Sequence, residues 1–142
     1  MRYAYPYTME PQPEGGFTVT FPDVPEAITE GDTAAQARAR AEDALVTALS
    51  FYTDDARPLP TPSPTRGRPI ALVPPLVAAK LALHDAMLAT GTSNVELGRR
   101  LDLEEKAVRR LRDPLHRSHI GQIEAALRLL GRRLEIRVLE AT

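Results

Sequence analysis

The chain has 142 residues, with 18 Lys and Arg against 19 Asp and Glu, and this net charge of −1 excludes a uniformly basic nucleic-acid coat. It contains no Cys and no Trp, which removes disulfide staples, zinc ribbons and thiol catalysis and fits a reducing, cytoplasmic setting. The most apolar stretch, PIALVPPLVAAKLAL at 69–83, is interrupted by Pro74, Pro75 and Lys80 and falls short of the ~20 apolar residues a membrane span needs, and the N-terminus has no signal-peptide core.

The near-neutral total conceals a split. Residues 1–57 hold four basic and ten acidic side chains, a net −6, whereas the remainder is +5. All seven aromatic residues lie in the first 52, so the basic half must pack on aliphatic side chains. Seven of the thirteen prolines fall at 58, 60, 62, 64, 69, 74 and 75, where PLPTPSPTRGRP forms neither helix nor central strand. The composition therefore predicts an acidic domain over 1–57, a proline-rich linker over 58–67 and a second domain over 74–142.

Residues 3–8 (YAYPYT) and 17–21 (FTVTF) alternate as β-strands do, with Glu14-Gly15-Gly16 as the turn of a hairpin. Pro6 places the first strand at an edge or a bulge. A third short strand is predicted near 27–30, before the Gly31-Asp32 turn. Thr33 with Gln36 is a capping-box pattern opening a helix that puts Ala34, Ala37, Ala41, Ala44, Leu45, Ala48, Leu49 and Tyr52 on one face. Gln36, Arg40, Asp43, Thr47 and Ser50 mark its solvent side. A strand over 68–73 returns to the sheet, for the order β-β-β-α-β.

The segments Pro22-Asp23-Val24-Pro25 and Thr29-Glu30-Gly31-Asp32-Thr33, followed by an alanine-rich helix carrying Ala41-Glu42-Asp43-Ala44-Leu45, resemble the N-terminal domain of HicB antitoxins. Glu26 stands where that family usually has glycine. The resemblance implies a partial RNase H-like fold that binds and blocks a small basic, mRNA-cleaving HicA-like toxin. It implies no catalysis by this domain and no cofactor.

In the basic half, Pro74 and Pro75 sit where a helix can start, and the following helix over 76–89 is apolar on most sides, as the centre of a bundle is. Gly91 ends it. Ser93-Asn94-Val95-Glu96 is a capping box for a short second helix reaching Leu101, a turn at Asp102-Leu103 follows, and a third helix spans 104–112. That helix turns Ala107, Val108 and Leu111 inward and leaves Glu105, Lys106, Arg109 and Arg110 outside. Leu97, Leu101, Leu103, Val108 and Leu111, with Gly98 at the helix crossing, form a pattern that resembles the helix-turn-helix of phage-repressor-type DNA-binding domains. Asp102 replaces the usual turn glycine and tolerates a positive φ better than most residues.

Pro114 stops the third helix, and Ser118 is the predicted cap of a fourth, whose stripe is Ile120, Ile123, Leu127 and Leu130. In the tail, Leu134, Ile136 and Val138 alternate with charged residues as on a half-buried strand, which predicts pairing with a second copy and hence a homodimer or higher oligomer. The fold class is therefore α+β: a small antiparallel sheet with one covering helix, then an all-α helix-turn-helix domain with a C-terminal strand.

Helix-turn-helix geometry aims Lys106, Arg109, Arg110 and Glu105 at the major groove of operator DNA, with Arg99 and Arg100 nearer phosphate and Arg112 and Arg117 around them. The absence of aromatics from this half argues against an RNA-stacking surface. His116 and His119 have HxxH spacing without the cysteine or acidic cluster a zinc site uses, and His84 reads as a core residue. A nuclease reading would rest on Asp23, Glu26 and Asp32, but these lie in connecting segments, whereas two-metal catalysis needs carboxylates converging from strands. The sequence thus predicts a non-enzymatic antitoxin that neutralises a toxin with its acidic half and represses its own operon with its basic half; the alternative is a free-standing transcriptional regulator.

Overall fold

The computed structural model describes residues 2–141. Their fold is α+β, with five short strands and five helices in the order β-β-β-β-α-β-α-α-α-α. The strands are β1 (Ala4–Pro6), β2 (Thr8–Pro11), β3 (Phe17–Thr20), β4 (Ile28–Gly31) and β5 (Ile70–Leu72). The single strand anticipated over 3–8 is two, because the chain changes partner at Tyr7. Residues 4–6 pair antiparallel with β5, while residues 8–11 pair with β3 across the Gln12–Gly16 turn. Tyr7 N–H donates to Pro69 O (3.0 Å), so the junction still contributes to the β5 ladder. β4 joins the far side of β3, giving the order β2-β3-β4 beside the β1-β5 pair.

Helix α1 (Ala34–Asp54) has its N-cap at Thr33, where the capping-box pattern places it. Thr33 Oγ1 accepts from Gln36 N–H (3.1 Å), and the Gln36 side chain reaches back to accept from Asp32 N–H (2.6 Å). Its alanine stripe lets it approach the sheet closely: Ala37, Ala41 and Ala48 are buried, and a Cβ on Gly31 of β4 would lie 2.5 Å from Ala37 N. Leu45 and Leu49 descend from α1 onto Tyr5, Val19 and Phe21, forming a first core in which each fully buried large side chain contributes about 1.5–3 kcal/mol. Ser50, placed by its spacing on the solvent side, is buried and spends its hydroxyl on Thr47 O (2.6 Å).

The proline-rich segment packs along this first core. Leu59 is buried, Tyr5 O–H donates to Pro60 O (2.8 Å), and both the amide and hydroxyl of Ser63 bond the Asp23 carboxylate. β5 then leads through Pro74 directly into α2 (Pro75–Thr90). Val77 and Leu81 of α2 belong to the first core, whereas Ala79, Leu83, Ala86 and Met87 belong to a second core shared with α3 (Asn94–Leu101), α4 (Glu105–Arg112) and α5 (Ile120–Leu129). Tyr3 O–H to Asp85 Oδ2 (2.6 Å) also ties the sheet to α2.

Past α5 the tail is without regular structure. Leu134 packs on the second core, while Ile136 and Val138 are 60% and 92% exposed. Among the described residues no strand follows β5, so the strand expected here has no ladder partner within one chain.

Candidate nucleic-acid interface

The candidate interface is built on α3, the turn after it, and α4. Ser93 caps α3 by accepting from Glu96 N–H (3.1 Å). Asp102 ends the helix in the left-handed region (φ 56°, ψ 46°), and Leu103 N–H closes onto Gly98 O (2.7 Å). This closure brings the Leu103 carbonyl to within 2.6 Å of where a Cβ on Gly98 would stand, with Val108 Cγ2 at 3.3 Å. Gly98 is therefore required by close approach, which outweighs its helix-propensity cost of about 1 kcal/mol.

With the turn fixed, α4 seats Val108 and Leu111 in the second core, half-buries Ala107, and leaves Glu105, Lys106, Arg109 and Arg110 exposed. Arg109 pairs with Glu105 one turn back (2.8 Å), an exposed pair worth no more than ~1 kcal/mol and readily exchanged for another partner. Arg99 pairs with Glu96 on the surface of α3, and Arg100 donates to Leu129 O at the end of α5 (2.9 Å). Arg117 is exposed in the loop after α4. Of these, Lys106, Arg109 and Arg110 line one cleft of about 570 Å³, together with Thr53 and Asp54 of α1.

Arg112 also borders this cleft but is only part-exposed. Its guanidinium turns inward, donating to Asn94 Oδ1 (2.6 Å) and to His84 Nδ1 (2.7 Å), and so links the last turn of α4 to the start of α3 and to α2. His84 is fully buried and its other nitrogen, Nε2, donates to Arg57 O (2.7 Å) just past α1. Because Nε2 carries the proton and Nδ1 faces a guanidinium, the ring is neutral. Burial, with the neighbouring Arg112 charge, holds its pKa below the usual histidine value.

A second buried polar group holds the same, C-terminal end of α4. Lys80 of α2 is completely buried, and its ammonium donates to Arg110 O (2.7 Å), Leu111 O (3.3 Å) and Ser118 Oγ (2.8 Å). The first two are C-terminal carbonyls that a helix leaves unpaired at the negative end of its dipole. Ser118 is thereby occupied, and His119, without a side-chain bond, is the N-cap of α5 in place of the serine expected there. Ile120, counted in the apolar stripe of α5, is 37% exposed, and Ala126 takes its place in the core.

Sequence reasoning missed Lys80 and Arg112, because a lone lysine in an apolar helix reads as an interruption and an arginine at the end of a basic helix reads as surface. The carboxylates considered as a metal centre go to separate partners: Asp23 to Ser63, and Glu26 to the Tyr52 hydroxyl (2.7 and 2.9 Å). Among the described residues no helix is long and apolar enough to cross a membrane.

Residues 4–82 match the model of a family described as the HicB-like antitoxin of a bacterial toxin-antitoxin system. The chain is 46% identical to Antitoxin HicB 2 of Photorhabdus laumondii over 132 residues, covering 93% of this chain and 94% of that protein. It is 39% identical to Antitoxin HicB of Escherichia coli strain K12 over 133 residues, covering 93% and 96%. Antitoxin HicB 1 of Photorhabdus laumondii is 37% identical over 134 residues, covering 94% and 86%.

Proposed function

The chain belongs to the HicB-like antitoxin family, and from that premise we propose that it neutralises a small basic HicA-like toxin with its acidic half and binds operator DNA with α4. It acts by binding, without catalysis or cofactor, in the cytoplasm. Support for the first role comes from the relatives, whose names are those of antitoxins and whose likeness runs through both halves. The net −6 of residues 1–57 adds long-range attraction to a cationic nuclease and repels its RNA substrate. Toxin contact is assigned to the strands together with the segment 22–32.

The observation that carries operator binding is the Gly98–Leu103 closure, which fixes α4 with its apolar side inward and Lys106, Arg109 and Arg110 outward. In a major groove Arg109 and Arg110 would meet base edges, Lys106 and Glu105 would flank them, and Arg99, Arg100 and Arg117 would lie near phosphate. Two such helices are brought together by pairing of the tails through Leu134, Ile136 and Val138, so the operator is an inverted repeat with half-sites about one helical turn, or a multiple, apart. Fluorescence anisotropy with the promoter of its own operon tests this. Arg109→Ala should lose about 1–3 kcal/mol of specific affinity and relax preference at one base position per half-site. Wild type that binds operator and scrambled DNA equally, with the variant unchanged, would refute it.

A further inference from the structure

Two of the most exposed apolar side chains of the acidic half line the same cleft. Ile28 of β4 is 64% exposed and Phe51, near the end of α1, is 49% exposed. Both border a cleft of about 260 Å³ between β4 and α1, where Glu26 and Asp43 supply carboxylates. Singly scattered apolar residues on a surface need no explanation, but two from separate elements facing one cleft mark a place where a partner removes them from water.

The acidic side of the cleft is already ordered. Tyr52 O–H donates to Glu26, which lowers the pKa of that carboxyl and keeps it charged, and the Arg57 guanidinium lies 4.2 Å from the Tyr52 ring centroid and steadies the ring. A fixed carboxylate loses little conformational freedom when it is bound. Arg40, also on the cleft, donates to Glu30 O of β4 (3.0 Å). Among the described residues β4 has a ladder partner on one side only, and with this carbonyl occupied, strand addition is hindered and docking through side chains is left.

We propose that this cleft between β4 and α1 seats the toxin: the small basic protein inserts an apolar side chain between Ile28 and Phe51 and sets Lys or Arg against Glu26 and Asp43. The placement rests on the antitoxin reading and gives it a location. Charge selects the occupant, since a second copy of this face would oppose Glu26 and Asp43 with the same carboxylates, and nucleic acid carries the same sign.

The test is calorimetric titration of the full-length protein with a purified HicA-like toxin from the same genome. Ile28→Asp and Phe51→Asp should each weaken binding about tenfold or more, and Asp43→Lys about threefold or more, while operator affinity stays at the wild-type value. Leu115→Asp, at a residue of the basic half as exposed (61%) as Ile28, should bind toxin as wild type does. The substituted side chains are exposed, so melting temperatures should stay within about 2 °C of wild type, and Asp43→Lys carries the test if an apolar site proves less tolerant. If wild type binds toxin and all three cleft variants match it, or Leu115→Asp weakens binding equally, the location is wrong and the antitoxin reading stands. If wild type does not bind toxin, the antitoxin reading fails and the location fails with it.

Discussion

Replacing Lys80 by methionine keeps the length of the side chain and removes its charge and its three donors. At neutral pH the change leaves Arg110 O and Leu111 O without their buried donor, at about 1–3 kcal/mol each. Against this stands the relief of a desolvated ammonium, so a net loss of about 2–4 kcal/mol is expected. The dependence on pH is the sharper signature. Burial lowers the Lys80 pKa from 10.5 to about 8, a displacement equivalent to roughly 3 kcal/mol. Between those two values the unfolded chain binds more protons than the folded one, so stability rises with pH across that window. Wild type should therefore gain roughly 2 kcal/mol from neutrality to about pH 9.5, and Lys80→Met should not. Tyr3 and Tyr5 oppose the gain at the alkaline end, because burial raises their pKa values and their share of stability is lost as pH climbs above 10; both proteins carry this term and it cancels. Urea unfolding followed by circular dichroism at the two pH values measures the difference. Equal stability of the two proteins at neutrality, or parallel pH profiles, would refute the role given to Lys80.

Gly98→Ala should cost about 1–3 kcal/mol despite alanine's better helix propensity, since the new methyl meets the Leu103 carbonyl; a variant as stable as wild type in the same urea titration would contradict that close approach. His84→Ala should cost about 2–4 kcal/mol by leaving Arg57 O, and the Arg112 N–H that faced Nδ1, without a partner. The lowered His84 pKa means that its contribution is present above about pH 6.5 and is lost as pH falls, so wild type should lose stability toward about pH 5.5 more steeply than His84→Ala in thermal melts. The full chain should sediment as a dimer in the ultracentrifuge and a chain ending at Gly131 as a monomer, because Ile136 and Val138 are then gone. A fragment of residues 1–82 should rescue growth from the cognate toxin better than residues 1–73, which lack Val77 and Leu81 of the first core.

Local chemistry was legible in the sequence, and long-range partnership was not. Thr33-Gln36 and Ser93-Glu96 located two helix starts to the residue, and Asp102 announced its positive φ, because a cap or a turn is decided within four or five residues. Gly98 was read as a crossing point, and the structure identifies the atom it makes room for. Ser118 illustrates the limit: its sequence position suits a cap, but Lys80, 38 residues away, takes its oxygen. The division of the first strand at Tyr7 depends on β5, more than 60 residues later. Ser50 fell on the polar side by spacing, yet a hydroxyl that bonds its own helix can be buried at little cost. Of the candidate interface, the exposed residues of α4 followed from periodicity, whereas the inward turn of Arg112 needed Asn94 and His84 to be in place.

Leu81 and Leu83 are two residues apart on α2 but serve different cores. The angle between the acidic and basic halves is thus set by the phase of one helix, as two gears are set by a common shaft. Inserting one residue between them would turn one half against the other by about 100° and advance it about 1.5 Å. Changes of length in α2 are closed to this protein unless both cores are rebuilt. The segment 58–67 is free of that constraint, since it begins and ends on the same core and can lengthen or shorten without moving α4. Among relatives of this architecture, length variation should collect in the proline-rich segment, and the first half of α2 should keep its register.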